Sequence, residues 1–111
     1  MADSETIAAL NDELRRATGP SRLGRVVLTR GVAALDEQIV TQILKSVRDF
    51  DNFDEGDNPY GERDFGAFES AAGKVFWKID YFDNDLKFGS EDPANVEVAA
   101  RVLTIMLAEE Y

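Results

Sequence analysis

Apolar residues recur at helical spacing in two segments of the N-terminal half of the chain. Between Ser4 and Ala17, three apolar residues follow one another at intervals of three and four positions, namely Ile7, Leu10 and Leu14. Between Asp36 and Phe50, a wider stripe has the same period and comprises Ile39, Val40, Ile43, Leu44, Val47 and Phe50. Each pattern predicts an amphipathic helix, and the wider stripe indicates that the second helix faces the core.

Short runs of β-branched and aromatic residues predict the strands. The first run, Val26–Leu28, follows the helix-breaking segment Thr18–Ser21 and ends before Gly31. Two longer runs, Phe65–Ser70 and Lys74–Phe82, are separated by only three small residues, which is the spacing of an antiparallel hairpin. Alternation along the second of these runs places one set of side chains on the core face, namely Val75, Trp77, Ile79 and Tyr81.

The last segment, Asp92–Glu110, has the pattern of a nearly buried helix. Asp92 is a suitable N-cap, and Pro93 would occupy the first helical position. Polar residues form only a narrow stripe, and most other positions are apolar. A helix this apolar must be covered, either by the sheet and another helix or by a second copy of the chain. One arrangement expected from the pattern is therefore a homodimer formed through the last helix.

These elements predict one domain spanning residues 1–111, because 111 residues is the length of a single domain. The fold class is α+β, a small antiparallel sheet with helices packed against it, in the order α-β-α-β-β-(β)-α. The bracketed strand corresponds to Leu86–Phe88, where the pattern is compatible with a third short strand after a turn.

Composition excludes several classes of function. The chain has no cysteine and no histidine, which removes disulfides, thiolate zinc sites and the catalytic groups of most common enzymes. Its net charge of -10 repels phosphate backbones, so direct binding to nucleic acid or to an anionic membrane is not expected. No apolar run approaches the roughly 20 residues of a membrane span, and no signal pattern precedes the first helix. We expect a cytoplasmic protein without a cofactor or a metal ion.

Carboxylates are concentrated between Asp49 and Asp64, in a segment that reads as an ordered acidic loop. A rigid acidic surface made of this loop and of acids near the last segment, Asp80, Asp83, Asp85, Glu91 and Asp92, could occupy a basic groove meant for nucleic acid. In this hypothesis the acids oppose Lys and Arg of a protein target, and Tyr60 packs among them. The predicted partner-binding residues are Asp51, Asp54, Glu55, Asp57, Tyr60, Glu62 and Asp64.

The same carboxylates support an alternative, a small α+β enzyme or a divalent-metal-binding domain that uses the 49–64 loop. Read from Asp51, the loop partly fits a calcium site, but Phe53 and Pro59 occupy two ligand positions. A general acid and base pair is also conceivable among these acids, although the spacing selects no pair.

Four ordered strings carry a resemblance that covers nearly the whole chain: RVVLTRG (25–31), NPYGERDFGAF (58–68), VFWKIDYFD (75–83) and VLTIMLAEEY (102–111). The chain resembles a proteobacterial family catalogued as a domain of unknown function, whose members are often encoded on mobile elements near anti-restriction genes. Many relatives have a histidine where Arg63 stands here.

No catalytic residue is assigned to that family, so the resemblance supplies none for this chain. It implies a non-catalytic inhibitor of a nucleic-acid-handling host defence complex, of the anti-restriction or anti-CRISPR kind. The expected partner is then a nuclease or CRISPR effector with a basic surface, which is an inference from association.

Overall fold

The computed structural model describes residues 2–17, 21–53, 61–83, 89, 92–95 and 99–111. Within these residues the elements follow one another as helix α1 (Ala2–Arg16), strand β1 (Gly24–Leu28), helices α2 (Arg30–Ala33) and α3 (Glu37–Asp49), strands β2 (Phe65–Ser70), β3 (Gly73–Phe82) and β4 (Ala100–Leu107), and a 3-10 turn (Ala108–Glu110). The four strands form one sheet in the spatial order β1-β4-β3-β2. The α+β class predicted from the sequence is confirmed.

Both amphipathic helices form where the periodicity places them. Helix α3 begins after Asp36, whose side chain accepts a hydrogen bond of 2.9 Å from the backbone N–H of Gln38. This N-cap satisfies one of the amide donors that a helix leaves unpaired at its start. The apolar stripe of α3 buries Ile43 and Val47 against the sheet, while α1 contributes Leu14 to the same core. None of the helices in the described residues is long and apolar enough to cross a membrane.

The predicted hairpin is confirmed as β2 and β3, which pair antiparallel from Phe65 opposite Lys78 to Ser70 opposite Gly73. Gly73 lies in the left-handed region, with φ of 98°, which a residue without Cβ adopts readily. Trp77, in the middle of β3, is fully buried at the centre of the core. The aromatic side chain predicted on the core face is therefore a core residue rather than an exposed anchor.

The last predicted helix is wrong, because residues 100–107 form strand β4. Asp92 and Pro93 begin a turn, in which the N–H of Asn95 donates to the carbonyl of Asp92 at 3.0 Å. Strand β4 lies between β1 and β3 in the sheet. On the side that faces the helices, its residues Leu103 and Ile105 are fully buried in the core. A central strand has a nearly continuous apolar sequence, which a buried helix shares, and this ambiguity explains the error.

Two further expectations change with that strand. The homodimer expected through the last helix loses its basis, since the segment from Ala100 to Leu107 is a strand inside the sheet. The sheet is mixed rather than antiparallel, because β1 runs parallel to β4, with Val26 opposite Leu103. The additional strand expected at Leu86–Phe88 lies outside the described residues, although Gly89 forms an antiparallel bridge with Phe82.

Glu110 fastens the C-terminal turn to the beginning of α2. One carboxylate oxygen accepts from the hydroxyl of Thr29 at 2.6 Å and from the N–H of Leu107 at 2.9 Å, and the other accepts from the N–H of Gly31 at 2.9 Å. These hydrogen bonds, that from Thr29 foremost, lower the pKa of Glu110 below its usual value. The C-terminal ends of β1 and β4 lie side by side in the sheet. Glu110 connects them by hydrogen bonds that are additional to those between the two strands.

Candidate functional site

The predicted partner-binding residues fall into two groups. Asp51 is exposed just beyond the end of α3, and Glu62 and Asp64 lie partly buried immediately before β2. The remaining four lie outside the described residues, namely Asp54, Glu55, Asp57 and Tyr60. The structure therefore places two of the seven predicted residues at the start of a strand, and one on the surface that leads into the acidic segment.

Sheet pairing gathers further carboxylates beside Glu62 and Asp64. Strand β2 begins where β3 approaches its end, and β4 begins opposite the last residue of β3. Acids that precede β2, end β3 or precede β4 therefore lie at one end of the sheet. We call this set the acidic end, and it consists of Glu62, Asp64, Asp80, Asp83 and Asp92. Asp85 and Glu91, which the sequence placed on the same surface, lie outside the described residues.

Asp64 shows the electrostatic consequence of this arrangement. Its carbonyl accepts the N–H of Ile79 at 2.8 Å, which fixes residue 64 against β3. Burial of the carboxyl group raises the pKa of Asp64 above its usual value, and the nearby charge of Asp80 raises it further. The fold thus places the carboxyl group of Asp64 where its ionisation is disfavoured, near Asp80, whose carboxylate lies 3.3 Å from the Nζ of Lys78.

A buried polar network lies directly beneath Glu62. Arg101, which has no exposed surface, donates from Nε to the side-chain oxygen of Asn11 at 2.7 Å. The amide nitrogen of Asn11 donates to the carbonyl of Glu62 at 3.0 Å and to the hydroxyl of Tyr81 at 2.9 Å. That hydroxyl donates in turn to a carboxylate oxygen of Glu62 at 3.2 Å, and burial raises the pKa of Tyr81, which keeps the donor protonated. Glu62 is thus held at both its backbone and its carboxylate.

A second buried network anchors the two described flanks of the predicted acidic loop. Arg15 donates to the carbonyls of Val47 at 2.7 Å and Phe50 at 2.9 Å, at the end of α3. It also donates to Asp12 at 2.7 Å, and Asp12 accepts from Arg63 on the far side of the loop. Arg63 has a left-handed backbone, with φ of 56°, which is uncommon for a residue with a side chain. Residues 50 and 63, on either side of the loop, are thereby tied to α1.

Aromatic rings complete this anchor. The guanidinium carbon of Arg15 lies 5.0 Å from the ring centre of Trp77 and 5.4 Å from that of Phe53. Phe50 and Phe53 meet each other edge to face at 5.0 Å, and both approach Trp77. Cation–π contacts of this kind stabilise a charge that burial would otherwise disfavour.

No pattern in the sequence marks Asn11, Asp12, Arg15 or Arg101 as part of the site. One signal was available for Arg101, because it is a charged residue in an otherwise apolar segment. Within the described residues, no group of three or more Asp or Glu is placed to hold a metal ion. The loop carboxylates Asp54, Glu55 and Asp57 lie outside the described residues.

Replacing Asp64 by Asn is expected to raise the unfolding temperature at neutral pH. Because the pKa of Asp64 is raised in the folded state, the folded protein binds the proton more tightly than the unfolded chain does, so the ionised carboxylate destabilises the fold. This destabilisation is complete above the folded-state pKa and disappears as pH falls below the ordinary value of 3.8. Thermal unfolding of both proteins across acidic to neutral pH tests the expectation.

Asp51→Asn is the matched control for Asp64→Asn, since Asp51 is exposed. It should leave the unfolding temperature nearly unchanged. A gain for Asp64→Asn that persisted at the acid end of the titration would contradict the electrostatic explanation.

These features define a small α+β protein in which a mixed sheet displays carboxylates at one end, above two buried arginine networks. The chain belongs to the family described as Protein of unknown function (DUF3768), whose model matches residues 28–110. The match begins at the last residue of β1, so α1, which supplies Asn11 and Arg15 to the networks, lies outside it. No curated protein and no solved structure matches the chain significantly.

Proposed function

We propose that the chain is a non-catalytic protein whose acidic end binds a cationic surface on a protein partner. The most direct evidence is that Glu62 is held in place by the buried network. Its carbonyl accepts a hydrogen bond from Asn11, and its carboxylate accepts one from Tyr81. A carboxylate fixed in this way loses little side-chain entropy when it meets a cation. Complementary charge also accelerates association and makes binding sensitive to salt.

The energetic state of Asp64 supports the same proposal. Its ionised carboxylate destabilises the fold at neutral pH, as its raised pKa indicates, and Asp80 increases that effect. A bound Lys or Arg would stabilise the ionised carboxylate of Asp64, so part of the binding free energy would come from removing a destabilising interaction. Such a site is more favourable for a cationic partner than dispersed surface carboxylates are.

The partner that we propose is a nucleic-acid-handling host defence complex, such as a nuclease or CRISPR effector, which the chain would inhibit by nucleic-acid mimicry. Grooves that bind nucleic acid are lined by Lys and Arg, and duplex DNA presents one negative charge per roughly 1.7 Å of its axis. The net charge of -10 and the resemblance to a family carried on mobile elements support this choice. The acids of the 49–64 loop are proposed to contribute to the same surface.

The test compares two variants with the same change in net charge. One carries Glu62→Gln, Asp64→Asn, Asp80→Asn and Asp83→Asn. The control carries Glu5→Gln, Glu37→Gln, Glu69→Gln and Glu109→Gln, all at exposed positions outside the acidic end. Each protein is immobilised and exposed to bacterial lysate at about 0.05 M and at about 0.5 M salt. The Debye length is above about 10 Å at the lower concentration and well below about 10 Å at the higher one.

We expect the native chain and the control to retain the same nucleic-acid-binding protein at low salt, and the acidic-end variant to lose it. Added duplex DNA should displace the retained protein, and the native chain should inhibit its activity on DNA. Equal retention by the two folded variants would refute the assignment of the surface. Retention that DNA does not reduce would refute mimicry.

A further inference from the structure

Strand β1 forms an open edge of the sheet, at the side opposite to β2. Within the described residues β4 is the strand it pairs with, and Gly24 at its start also forms a bridge with Ser21. The N–H of Arg101 donates to the carbonyl of Leu23, and the N–H of Thr29 donates to the carbonyl of Ile105. These bonds fix the alternation along β1, so the N–H and C=O groups of Val26 and Leu28 point away from β4. An edge of this kind can accept another strand.

A groove runs along this edge on the helix-covered side of the sheet. The cavity has a volume of 360 Å³ and lies between β1 and α3, with Leu103 and Ile105 of β4 among its lining residues. Val26 of β1 and Leu44 of α3 also line it and are 46% and 41% exposed. The groove therefore offers unpaired backbone groups beside an apolar surface.

The charge of the groove is opposite to that of the chain. Lys45 and Arg48 line it from α3, and none of the described residues that line it is a carboxylate. Arg15 lines it too, but its charge is already paired with Asp12. Arg48 has a partner in the exposed Asp49 at 3.4 Å, so Lys45 carries the unbalanced charge. In a chain with 22 acidic and 12 basic residues, a groove that presents Lys45, unpaired among the described residues, favours an acidic ligand.

We propose that the β1 edge binds an extended acidic segment of a partner protein, which adds a strand beside β1. Its backbone would pair with Val26 and Leu28, its apolar side chains would enter the groove, and one of its carboxylates would meet Lys45. Main-chain pairing with pockets for alternate side chains is an established mode of peptide recognition. Pairing of two copies through this edge is disfavoured, since it would bring the cations of both copies together.

The experiment titrates the chain with a capped peptide of sequence EVEVEVE and, in parallel, with KVKVKVK. Both have the same apolar alternation and opposite charge. We follow backbone amide shifts and hydrogen exchange by NMR. The acidic peptide should shift and protect the amides of Val26 and Leu28, whereas the basic peptide should leave them unchanged. Absence of binding by the acidic peptide, shifts caused by that peptide only at the acidic end, or equal protection of Val26 and Leu28 by both peptides would overturn the proposal, whereas binding of the basic peptide at the acidic end would not.

Two variants probe the backbone and the charge separately. Val26→Pro removes an N–H that points away from β4, a position at which an edge strand tolerates proline, and it should weaken binding of the acidic peptide about tenfold while the sheet stays folded. Lys45→Glu should lose the acidic peptide, and Lys74→Glu, the same change at an exposed position on β3, is its matched control. Unchanged binding by the folded Val26→Pro protein, or equal loss in the Lys74→Glu control, would refute strand addition at β1.

Discussion

Replacing Arg15 by Met is expected to lower the free energy of unfolding by about 3 kcal/mol, because three acceptors lose a donor at once while Asp12 keeps its pairing with Arg63. Arg15 is 4% exposed and donates hydrogen bonds to two carbonyls at the end of α3 and to Asp12. Methionine can fill the space beside Trp77 but supplies no donor. The carbonyls of Val47 and Phe50 would then lose the Arg15 hydrogen bonds, which is costly in a buried position.

Chemical denaturation monitored by Trp77 fluorescence measures this effect, and Arg16→Met is the matched control. Arg16 is adjacent in sequence and exposed, so its replacement should change the free energy of unfolding by less than about 0.5 kcal/mol. Equal stability of the two variants would show that the buried network contributes nothing net. Because the network anchors Phe50 and Arg63, the Arg15 variant should also increase hydrogen exchange on both sides of the loop.

Gly24→Ala is the second substitution with a large expected effect, about 3 kcal/mol of destabilisation, at the upper end for overpacking. A Cβ atom at position 24 would lie 1.9 Å from the backbone oxygen of Arg101 and 2.7 Å from its carbonyl carbon. Gly24 also has φ of 157°, at the margin of the region that other residues avoid. Backbone atoms of a central strand cannot rotate away, so β1 would have to separate from β4.

Denaturation and amide exchange together test the expected separation. The N–H of Arg101, which donates to Leu23, should exchange faster in the Gly24 variant. Gly89→Ala is the control, because a Cβ there would meet its nearest neighbour, the carbonyl oxygen of Tyr81, at an ordinary 3.9 Å. If the N–H of Arg101 exchanged no faster in the Gly24 variant, β1 would accommodate a side chain at position 24 without separating from β4.

Local patterns predicted the elements whose structure depends on nearby residues. The period of α3 and the N-cap at Asp36 lie within one segment, and the β2–β3 hairpin closes over a short turn. The β4 segment could not be recognised in the same way, because burial inside a sheet removes the alternation that distinguishes a strand from a helix. Its parallel pairing with β1 depends on the path of the intervening chain, which no local pattern specifies.

The candidate site shows the same difference between features set by nearby residues and features set by distant ones. The density of acids drew attention to Glu62 and Asp64, and the structure brings Asp80, Asp83 and Asp92 to the same end of the sheet. The groups that hold this surface come from distant parts of the sequence. Asn11 meets Arg101 across almost the whole chain, so their contact could not be inferred from spacing. Long-range pairing of polar residues is a property of the folded state.

The position of β4 between β1 and β3 determines the order in which the protein can fold during synthesis. The β2–β3 hairpin is local and can form early, but α1 and β1 have no complete surface to pack on until β4 has left the ribosome. Pairing between elements so far apart in sequence slows folding and prolongs exposure of apolar side chains. The nascent chain must therefore keep its N-terminal half unassembled, and the release of β4 sets the time at which the sheet closes.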